Sequence, residues 1–270
     1  MSTDRSLREL MSLDGRVALV TGAAGHIGRV IASGLAELGA NIALVDISAS
    51  RGAEAAAALG QRWPVKAEMF DCDFEQSASV ADLPRRVREK FGRIDIIVNC
   101  AAFVGTSGLD GWAVPFEQQS ASTWRRAVEV NLTAPFVLIQ AAAEDLSASG
   151  RGSVINISSI YGLAGPDWRL YEGTSLGNPA AYAASKGGLI QMTRWLATTM
   201  APRVRVNAIA PGGVFRDTPE PFLSRYVART PLARMASEDD IKGAAAYLAS
   251  DLSAYVTGQC LAVDGGWTAW

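Results

Sequence analysis

Seven short apolar segments that alternate with helical segments are the feature that most restricts the fold of this chain. In the short segments the apolar residues run almost continuously, and between them apolar residues recur every three or four positions. The short segments are 16–22, 41–47, 65–73, 94–102, 152–159, 203–213 and 258–266. Strands that alternate with helices require crossover connections, and near-continuous apolar strands are buried on both faces. The sequence therefore predicts an α/β fold, a doubly wound parallel sheet of seven strands with helices on both faces.

Three stretches interrupt this alternation, and each directly follows a strand. They cover residues 102–121, 160–179 and 212–236, and none has a clear period. In an open parallel sheet the ligand crevice lies outside the carboxyl ends of the strands, so we expect these stretches to gather around one site. Because no linker or repeat divides the chain, we predict one catalytic domain over 13–270. Residues 1–12 mix charged and isolated apolar residues and are predicted to form a flexible N-terminal tail.

A glycine-rich turn joins the first strand to the first helix. Its glycines are Gly22, Gly25 and Gly28. Glycines at this place let the backbone approach a pyrophosphate, whose charge the helix N-terminus stabilises. Asp46 ends the second strand, where a carboxylate accepts hydrogen bonds from the adenosine ribose and repels a 2'-phosphate. These residues predict a Rossmann-type dinucleotide site that prefers NAD to NADP, and the alternative role for Asp46 is a helix N-cap.

Tyr182 and Lys186 stand four residues apart at the start of a predicted helix. Side chains at that spacing lie on the same helical face. A neighbouring ammonium favours a phenolate and lowers the pKa of the tyrosine, so Tyr182 is a candidate proton donor and acceptor. The same spacing also occurs in ordinary solvated helices, so the other motifs decide between the two interpretations.

Several motifs accompany this pair in a fixed order along the chain. They are TGAAGHIG at 21–28, Asp73 after the third strand, NCAA at 99–102, Asn131 in VNLTAPF, INISS at 155–159, YAASK at 182–186, NAIAPGG at 207–213 and VTGQCLAVDGG at 256–266. With these motifs the chain resembles the short-chain dehydrogenase/reductase family, in its short single-domain form, over about residues 13–267. The resemblance implies hydride transfer between a nicotinamide dinucleotide and a substrate carbon.

The same resemblance implies a role for each residue of the site. Ser159 hydrogen-bonds the substrate oxygen, Tyr182 is the general acid and base, and Ser158 is structural. Lys186 binds the nicotinamide ribose and lowers the pKa of Tyr182, and Asn131 holds a water that links Lys186 to solvent. The residues that the resemblance places against the dinucleotide are Gly22, Gly25, His26, Ile27, Gly28, Asp46, Ile47, Asp73, Phe74, Asn99, Ala101, Tyr182, Lys186, Pro211, Gly212 and Val214.

Two positions depart from the family pattern. His26 stands where the middle glycine of the turn is most often found, and Gly25 lies one place earlier. Arg216 takes the place of a threonine that is expected soon after Gly212, and Thr218 follows two residues later. His26 is interpreted either as a solvent-facing turn residue or as a phosphate contact.

Composition and charge exclude several classes of partner. The formal net charge is -2 and there is no basic run, so we expect neither nucleic acid nor an anionic membrane as a partner. Cys72, Cys100 and Cys260 are far apart and form no metal-ligand or redox spacing, which is typical of a reduced cytoplasmic protein. We expect no metal, no signal peptide and no membrane span. The family resemblance implies a homo-oligomer, a tetramer or dimer.

The segment 160–179 is the most individual part of the chain. It mixes flat rings with charged groups, in Tyr161, Trp168, Arg169, Tyr171 and Glu172. This mixture suits a polyhydroxylated or anionic substrate, and the pattern is similar to that of family members associated with bacterial surface-sugar biosynthesis; a self-packed loop or a subunit contact is the other interpretation. We predict an NAD(H)-dependent oxidoreductase that interconverts a secondary alcohol and a ketone on a small polar, sugar-like substrate. The alternatives are a 3-oxoacyl-thioester reductase and a non-catalytic dinucleotide-binding regulator.

Overall fold

A computed structural model describes residues 4–270, in which seven strands form one parallel sheet. The strands are β1 Val17–Thr21, β2 Asn41–Asp46, β3 Ala67–Asp71, β4 Ile96–Asn99, β5 Gly152–Ile157, β6 Val204–Pro211 and β7 Cys260–Val263. Their order across the sheet is β3-β2-β1-β4-β5-β6-β7. The order reverses between β1 and β4, which places the expected ligand crevice at the carboxyl ends of these two strands. The predicted Rossmann-type α/β fold is confirmed.

Helices cover both faces of this sheet. They are α1 Leu7–Met11, α2 His26–Glu37, α3 Ala49–Arg62, α4 Ser77–Phe91, α5 Ala121–Val128, α6 Ala134–Ala141, α7 Ala143–Ala148, α8 Ala180–Met200, α9 Phe222–Arg229 and α10 Glu238–Ala249. Gly60 lies inside α3, which continues to Arg62. One glycine inside a helix costs only about 1 kcal/mol relative to alanine.

The apolar residues form one large core on each face of the sheet. Consecutive side chains of a strand point to opposite faces. In β1, Ala18 and Val20 accordingly belong to the core beneath α2, α3 and α10. Val17 and Leu19 belong to the core beneath α4, α6 and α8. Helices packed on both faces of the sheet therefore fix the positions of the strands and of their carboxyl ends.

Two elements fall where the sequence predicted none. The segment predicted as a tail contains α1, whose first turn is capped by Ser6 and Glu9 in a capping box. Arg5 joins this segment to the rest of the chain through a salt bridge of 2.9 Å to Asp251. The stretch 212–236, which showed no clear period, contains the amphipathic helix α9. That helix is only eight residues long, which is too short to give a strong periodic signal.

The three irregular stretches meet at the carboxyl edge of the sheet. One cavity there is lined by residues of all three, including Thr106, Tyr161 and Val214. The prediction that these stretches gather around one site is confirmed. Within residues 4–270 no helix combines the length and apolar character needed to cross a membrane. The same residues contain no cluster of His, Cys, Asp and Glu suited to a metal ion.

Candidate active site

Two neighbouring cavities lie at the carboxyl edge of the sheet. The turn cavity, of about 480 Å³, is bordered by the glycine-rich turn and by the ends of β2, β3 and β4. The tyrosine cavity, of about 450 Å³, is bordered by Ser159, Tyr182 and the three irregular stretches. Arg216 lines both cavities, so the two spaces adjoin at this residue. A ligand that fills the turn cavity can therefore reach toward the two hydroxyl groups.

The glycine-rich turn is shaped by close backbone contacts. Gly22 has φ +64°, and a Cβ atom there would lie 2.9 Å from the backbone of Ala101. A Cβ atom at Gly28 would lie 2.2 Å from the Gly22 carbonyl oxygen, so this glycine allows the start of α2 to pack beneath the turn. The turn leads directly into α2, whose first residue is His26. The N-terminus of this helix stabilises an anion such as a diphosphate.

Asp46 holds the same turn from the side of β2. Its two carboxylate oxygens accept backbone hydrogen bonds from Ala24, at 3.0 Å, and from Ser48, at 3.1 Å. The residue is 9% exposed and lines the turn cavity. A carboxylate has about four acceptor positions, so the two that remain can bind ribose hydroxyl groups. The alternative role as a helix N-cap is not the one that Asp46 takes, because Ser48 is the N-cap residue of α3 and Asp46 accepts a bond from its amide in the preceding loop.

The structure brings most of the predicted dinucleotide contacts together. Those that line the turn cavity are Gly22, Gly25, His26, Ile27, Asp46, Ile47, Asp73, Phe74 and Ala101. Those that line the tyrosine cavity are Tyr182, Gly212 and Val214. Four others line neither cavity, namely Gly28, Asn99, Lys186 and Pro211. The glycines leave room for a diphosphate, the helix N-terminus favours its negative charge, and the carboxylate at the ribose position has acceptor positions left. Together these features fit a nicotinamide dinucleotide.

Asn99 is buried behind the turn cavity. Its Nδ2 donates a hydrogen bond of 2.8 Å to Asn156 Oδ1, and Asn156 Nδ2 donates in turn to Thr193 on α8. The Oδ1 atom of Asn99 is buried and finds no hydrogen-bond partner among residues 4–270. The contact of Asn99 with the dinucleotide stays a prediction, and so do those of Gly28, Pro211 and Lys186.

Ser159 and Tyr182 place two hydroxyl groups in the tyrosine cavity. Ser159 is held at the start of a 3-10 turn, where its Oγ accepts a hydrogen bond of 3.2 Å from the Tyr161 amide. Tyr182 lies in the first turn of α8, and the Ala180 amide at the start of that helix donates a hydrogen bond of 3.0 Å to Gln119 Oε1. Both hydroxyl groups are therefore positioned by backbone contacts.

Ser158 points away from the cavity and secures the helix that carries Tyr182. Its Oγ donates a hydrogen bond of 2.8 Å to the carbonyl oxygen of Lys186. A Cβ atom at Gly162 would lie 2.8 Å from that same oxygen. Only glycine thus lets the 3-10 turn after Ser159 lie directly against α8. The structural role predicted for Ser158 agrees with these contacts.

Lys186 is buried directly behind Tyr182. Its Nζ donates a hydrogen bond of 2.8 Å to the Ile157 carbonyl oxygen and lies 5.8 Å from the centre of the Tyr182 ring. Burial lowers the pKa of Lys186 to about 8. Burial also raises the pKa of Tyr182, and the hydroxyl of Ser159 opposes that shift only in part. Loss of solvent around a phenolate is the largest cause of the shift at Tyr182. The lowering of the Tyr182 pKa by Lys186 stays a prediction.

Asn131 lies in a π-helical turn, Glu129–Thr133, between α5 and α6. Such turns are frequent at functional sites. Its amide exchanges hydrogen bonds with the backbone of Phe103, at 2.8 Å and 3.0 Å, and donates to Ser185 Oγ at 3.1 Å. Ser185 Oγ in turn donates to the Tyr182 carbonyl oxygen at 2.9 Å. The Asn131 side chain therefore braces the first turn of α8, and its link to a water stays a prediction.

Sequence reasoning missed a polar group on the wall of the tyrosine cavity. The hydroxyls of Tyr161 and Tyr171 lie 2.6 Å apart, and Asn178, which is 7% exposed, lines the cavity beside them. Burial raises the pKa of both tyrosines, so they stay neutral hydrogen-bonding groups. The sequence of segment 160–179 had indicated its aromatic rings as candidates for substrate contact. Nothing in the sequence distinguished Asn178 from an ordinary loop residue. Phe222 also lines the cavity, whereas Trp112 is buried in the core and Phe116 is exposed.

Comparison with known proteins agrees with this geometry. A family model described as Enoyl-(Acyl carrier protein) reductase matches residues 22–268. The chain is 38% identical over 264 residues to D-threitol dehydrogenase of Mycolicibacterium smegmatis, with 95% of this chain and 94% of the relative covered. It is 35% identical over 261 residues to cis-4-hydroxycyclohexanecarboxylate dehydrogenase of Sinomonas cyclohexanicum, with 94% and 97% covered.

A solved structure has the same architecture. The gluconate 5-dehydrogenase from Burkholderia cenocepacia, in complex with NADP and tartrate, superposes with a TM-score of 0.87 at 30% identity, covering 98% of this chain and 100% of that one. The sheet order, the glycine turn, the paired hydroxyl groups and these full-length matches lead to one conclusion. The chain belongs to the short-chain dehydrogenase/reductase family, in its short single-domain form.

Proposed function

We propose that the protein is an NAD(H)-dependent oxidoreductase that interconverts a secondary alcohol and a ketone on a small polar, sugar-like molecule. The observation that carries the proposal is the position of Ser159 and Tyr182, whose hydroxyl groups share a cavity that adjoins the turn cavity at Arg216. When bound, the dinucleotide supplies or accepts the hydride. The residues of the chain bind it, orient the substrate and move one proton.

Ser159 and Tyr182 act on the substrate oxygen. Hydride addition to a ketone develops negative charge on that oxygen, and two hydroxyl donors aimed at it stabilise the charge. Because burial raises the pKa of Tyr182, its phenol is protonated at neutral pH and can donate its proton to the oxygen. In the reverse direction the phenolate accepts the alcohol proton, so we expect oxidation to require a higher pH than reduction. Ser159 contributes a hydrogen bond and orientation.

Another part of the wall of the tyrosine cavity suits a substrate with several hydroxyl groups. Tyr161 and Tyr171 share one hydrogen between their oxygens, which leaves a second hydrogen to donate and lone pairs to accept. The Tyr171 ring packs against Phe222, with the ring centres 5.2 Å apart, and forms an apolar surface beside these polar atoms. The dehydrogenases of threitol and gluconate described above act on hydroxylated molecules. We extend that substrate class to this chain.

A 3-oxoacyl-thioester reductase is the second candidate, and the description of the matching family model favours it. The two candidates differ in the substrate that the tyrosine cavity accepts. We expect a hydroxyketone to be reduced with a kcat/KM at least about tenfold above that of an acetoacetyl thioester, since the cavity wall loses its hydrogen bonds with an apolar chain. A higher kcat/KM for the thioester would make the 3-oxoacyl-thioester reductase the favoured function.

The preference for NAD rests on Asp46. Its carboxylate lines the turn cavity and would lie close to a 2'-phosphate. Arg51 also lines this cavity, and the Burkholderia relative was solved with NADP, so the preference needs a direct test. We expect NADH to bind at least about tenfold more tightly than NADPH, and Asp46→Ser to remove most of that difference, because like charges in close contact repel strongly.

Asp73→Asn is the matched control for this test. Asp73 also lines the turn cavity with a carboxylate, which accepts a hydrogen bond of 2.9 Å from the Glu75 amide. Its replacement should leave the ratio of the two dissociation constants unchanged. Calorimetric titration with both dinucleotides decides the matter. Equal binding of NADH and NADPH to the unaltered protein would contradict the role given to Asp46.

The proposal also includes a homo-oligomeric, cytoplasmic protein with a small-molecule alcohol or ketone as its substrate. The family resemblance supports the homo-oligomer, and the ring of Trp195 on α8, with 58% of its surface exposed, offers an apolar contact for it. A mass measurement in solution tests the oligomeric state.

A further inference from the structure

The two residues that depart from the family pattern meet at one carboxylate. Arg216 Nε donates a hydrogen bond of 3.1 Å to Glu238 Oε1, and His26 Nδ1 lies 3.8 Å from the same oxygen. His26 begins α2, Arg216 follows β6, and Glu238 begins α10. Three separate parts of the chain therefore converge beside the glycine turn.

Backbone pairing, and not the ion pair, holds Arg216 near Glu238. The Phe215 amide donates a hydrogen bond of 2.8 Å to the Ala236 carbonyl, and the Ala236 amide donates one of 2.9 Å to the Gly213 carbonyl. Arg216 directly follows this pairing on one side, and Glu238 follows it by two residues on the other. Because partly exposed ion pairs contribute little stability, an acidic group at 238 is not needed to keep the two segments together.

Arg216 keeps donors available after it binds Glu238. A guanidinium has five N–H groups in a planar fork, and the bond to Glu238 uses only the one on Nε. Among residues 4–270 no other side chain accepts a hydrogen bond from Arg216 at normal distance. Arg126, which lines the same cavity, is instead engaged by Glu75 through two bonds of 2.7 Å and 2.8 Å. Arg216 is thus the better placed of the two to bind a ligand anion.

The position of Glu238 indicates which anion this is. Glu238 lies beside His26, and His26 belongs to the turn whose backbone and helix N-terminus suit a diphosphate. The groups that face a substrate oxygen, Ser159 and Tyr182, lie in the other cavity. The N–H groups of a guanidinium match the spacing of phosphate oxygens and form bidentate hydrogen bonds with them.

We propose that Arg216 is a diphosphate-binding residue of the dinucleotide site, held in place through its Nε by Glu238. This inference rests on the proposed dinucleotide-dependent function. Arg216 lines the turn cavity beside the glycine turn, where its guanidinium would neutralise part of the charge of the diphosphate. Glu238 is a positioning residue, since it acts through Arg216.

Calorimetric titration of the full chain with ADP-ribose and with adenosine tests the inference. Arg216→Met is expected to weaken ADP-ribose binding by about tenfold to a hundredfold, the effect of losing charge-assisted hydrogen bonds, and to leave adenosine binding within about twofold. Arg29→Met is the matched control, because Arg29 is an exposed residue of α2, the helix after the glycine turn, and lines neither cavity. It should leave the affinity for both ligands within about twofold.

Variants of Glu238 test the positioning role. Glu238→Gln keeps an oxygen acceptor for Nε and should bind ADP-ribose as the unaltered protein does. Glu238→Ala frees the guanidinium and should weaken ADP-ribose binding by about threefold or more, because an unheld side chain loses rotamer freedom on binding. An Ala variant that binds ADP-ribose as tightly as the Gln variant would overturn this role.

The outcomes separate this inference from the proposed function. If the unaltered protein does not bind ADP-ribose, the proposed function itself fails. If it binds and Arg216→Met binds equally well, only the assignment of Arg216 is overturned. An Arg216→Met variant that keeps its affinity for ADP-ribose but has a raised KM for carboxylate substrates alone would reassign Arg216 to the substrate. An equal loss for adenosine and ADP-ribose would show general damage to the cavity and would also overturn the assignment.

Discussion

Replacing Tyr182 with phenylalanine is expected to lower kcat in both directions by at least about 10³-fold while the dissociation constant for NADH stays within about twofold. General acid–base groups contribute about 10² to 10⁴ in rate. The substitution removes only the hydroxyl, and the ring keeps its packing against the cluster that contains Trp112, Ala127 and Ala181. The fold and the turn cavity should therefore be unchanged. Steady-state kinetics and calorimetry on the same preparation measure the two effects.

Tyr161→Phe is the matched control for this variant. It removes a hydroxyl from the same cavity, but one that is bonded to Tyr171. We expect a loss of about tenfold in kcat/KM, the effect of one hydrogen bond to a bound substrate. If Tyr182→Phe keeps its turnover, or if Tyr161→Phe loses as much, Tyr182 is not the proton donor.

Replacing Lys186 with methionine is expected to lower kcat by at least about 10²-fold, because the site loses the amine that the family resemblance places against the nicotinamide ribose. At neutral pH the same change is expected to raise the free energy of unfolding by about 1–2 kcal/mol. Burial lowers the pKa of Lys186 from 10.5 to about 8. That shift corresponds to a cost of about 3 kcal/mol for the buried ammonium. Methionine removes this cost, which stabilises the variant. Loss of the hydrogen bond to the Ile157 carbonyl destabilises the variant by about 1–2 kcal/mol and so offsets part of that gain.

The pH dependence of this stability difference fixes its cause. The folded-state pKa of Lys186 lies below the unfolded-state value, so between about 8 and 10.5 the unfolded chain binds more protons. The stability of the unaltered protein relative to Lys186→Met is therefore lowest below pH 8 and recovers as the pH rises through this range. Lys90→Met, at an exposed position of α4, should show no such recovery. A Lys186→Met variant that is less stable at neutral pH would contradict a buried, costly ammonium.

Local patterns in the chain were sufficient to predict the sheet and the dinucleotide end of the site. Strand and helix periods depend on neighbouring residues, and the close contact between Gly28 and Gly22 lies within one strand–turn–helix unit. Asp46 was predictable for the same reason, because it ends the strand next to β1. These features need no knowledge of distant packing.

Features that depend on distant segments were not predictable in this way. The raised pKa of Tyr182 follows from burial under segments that approach from elsewhere in the chain, which its spacing to Lys186 does not reveal. The departures at His26 and Arg216 looked unrelated in the sequence, yet Glu238 from α10 brings them together. Asn178 became a candidate only when its loop was seen to line the tyrosine cavity.

Mixing the protein with NAD and a set of vicinal polyols, and following the absorbance of NADH, tests the proposed function most directly. Polyols present the secondary alcohol that Tyr182 would deprotonate and further hydroxyl groups for the Tyr161–Tyr171 pair. We predict that at least one polyol yields NADH, and that Tyr182→Phe yields none above background. Binding of NAD without NADH from any polyol or hydroxyketone pair, or equal NADH formation by Tyr182→Phe, would contradict the proposed function and favour a dinucleotide-binding regulator.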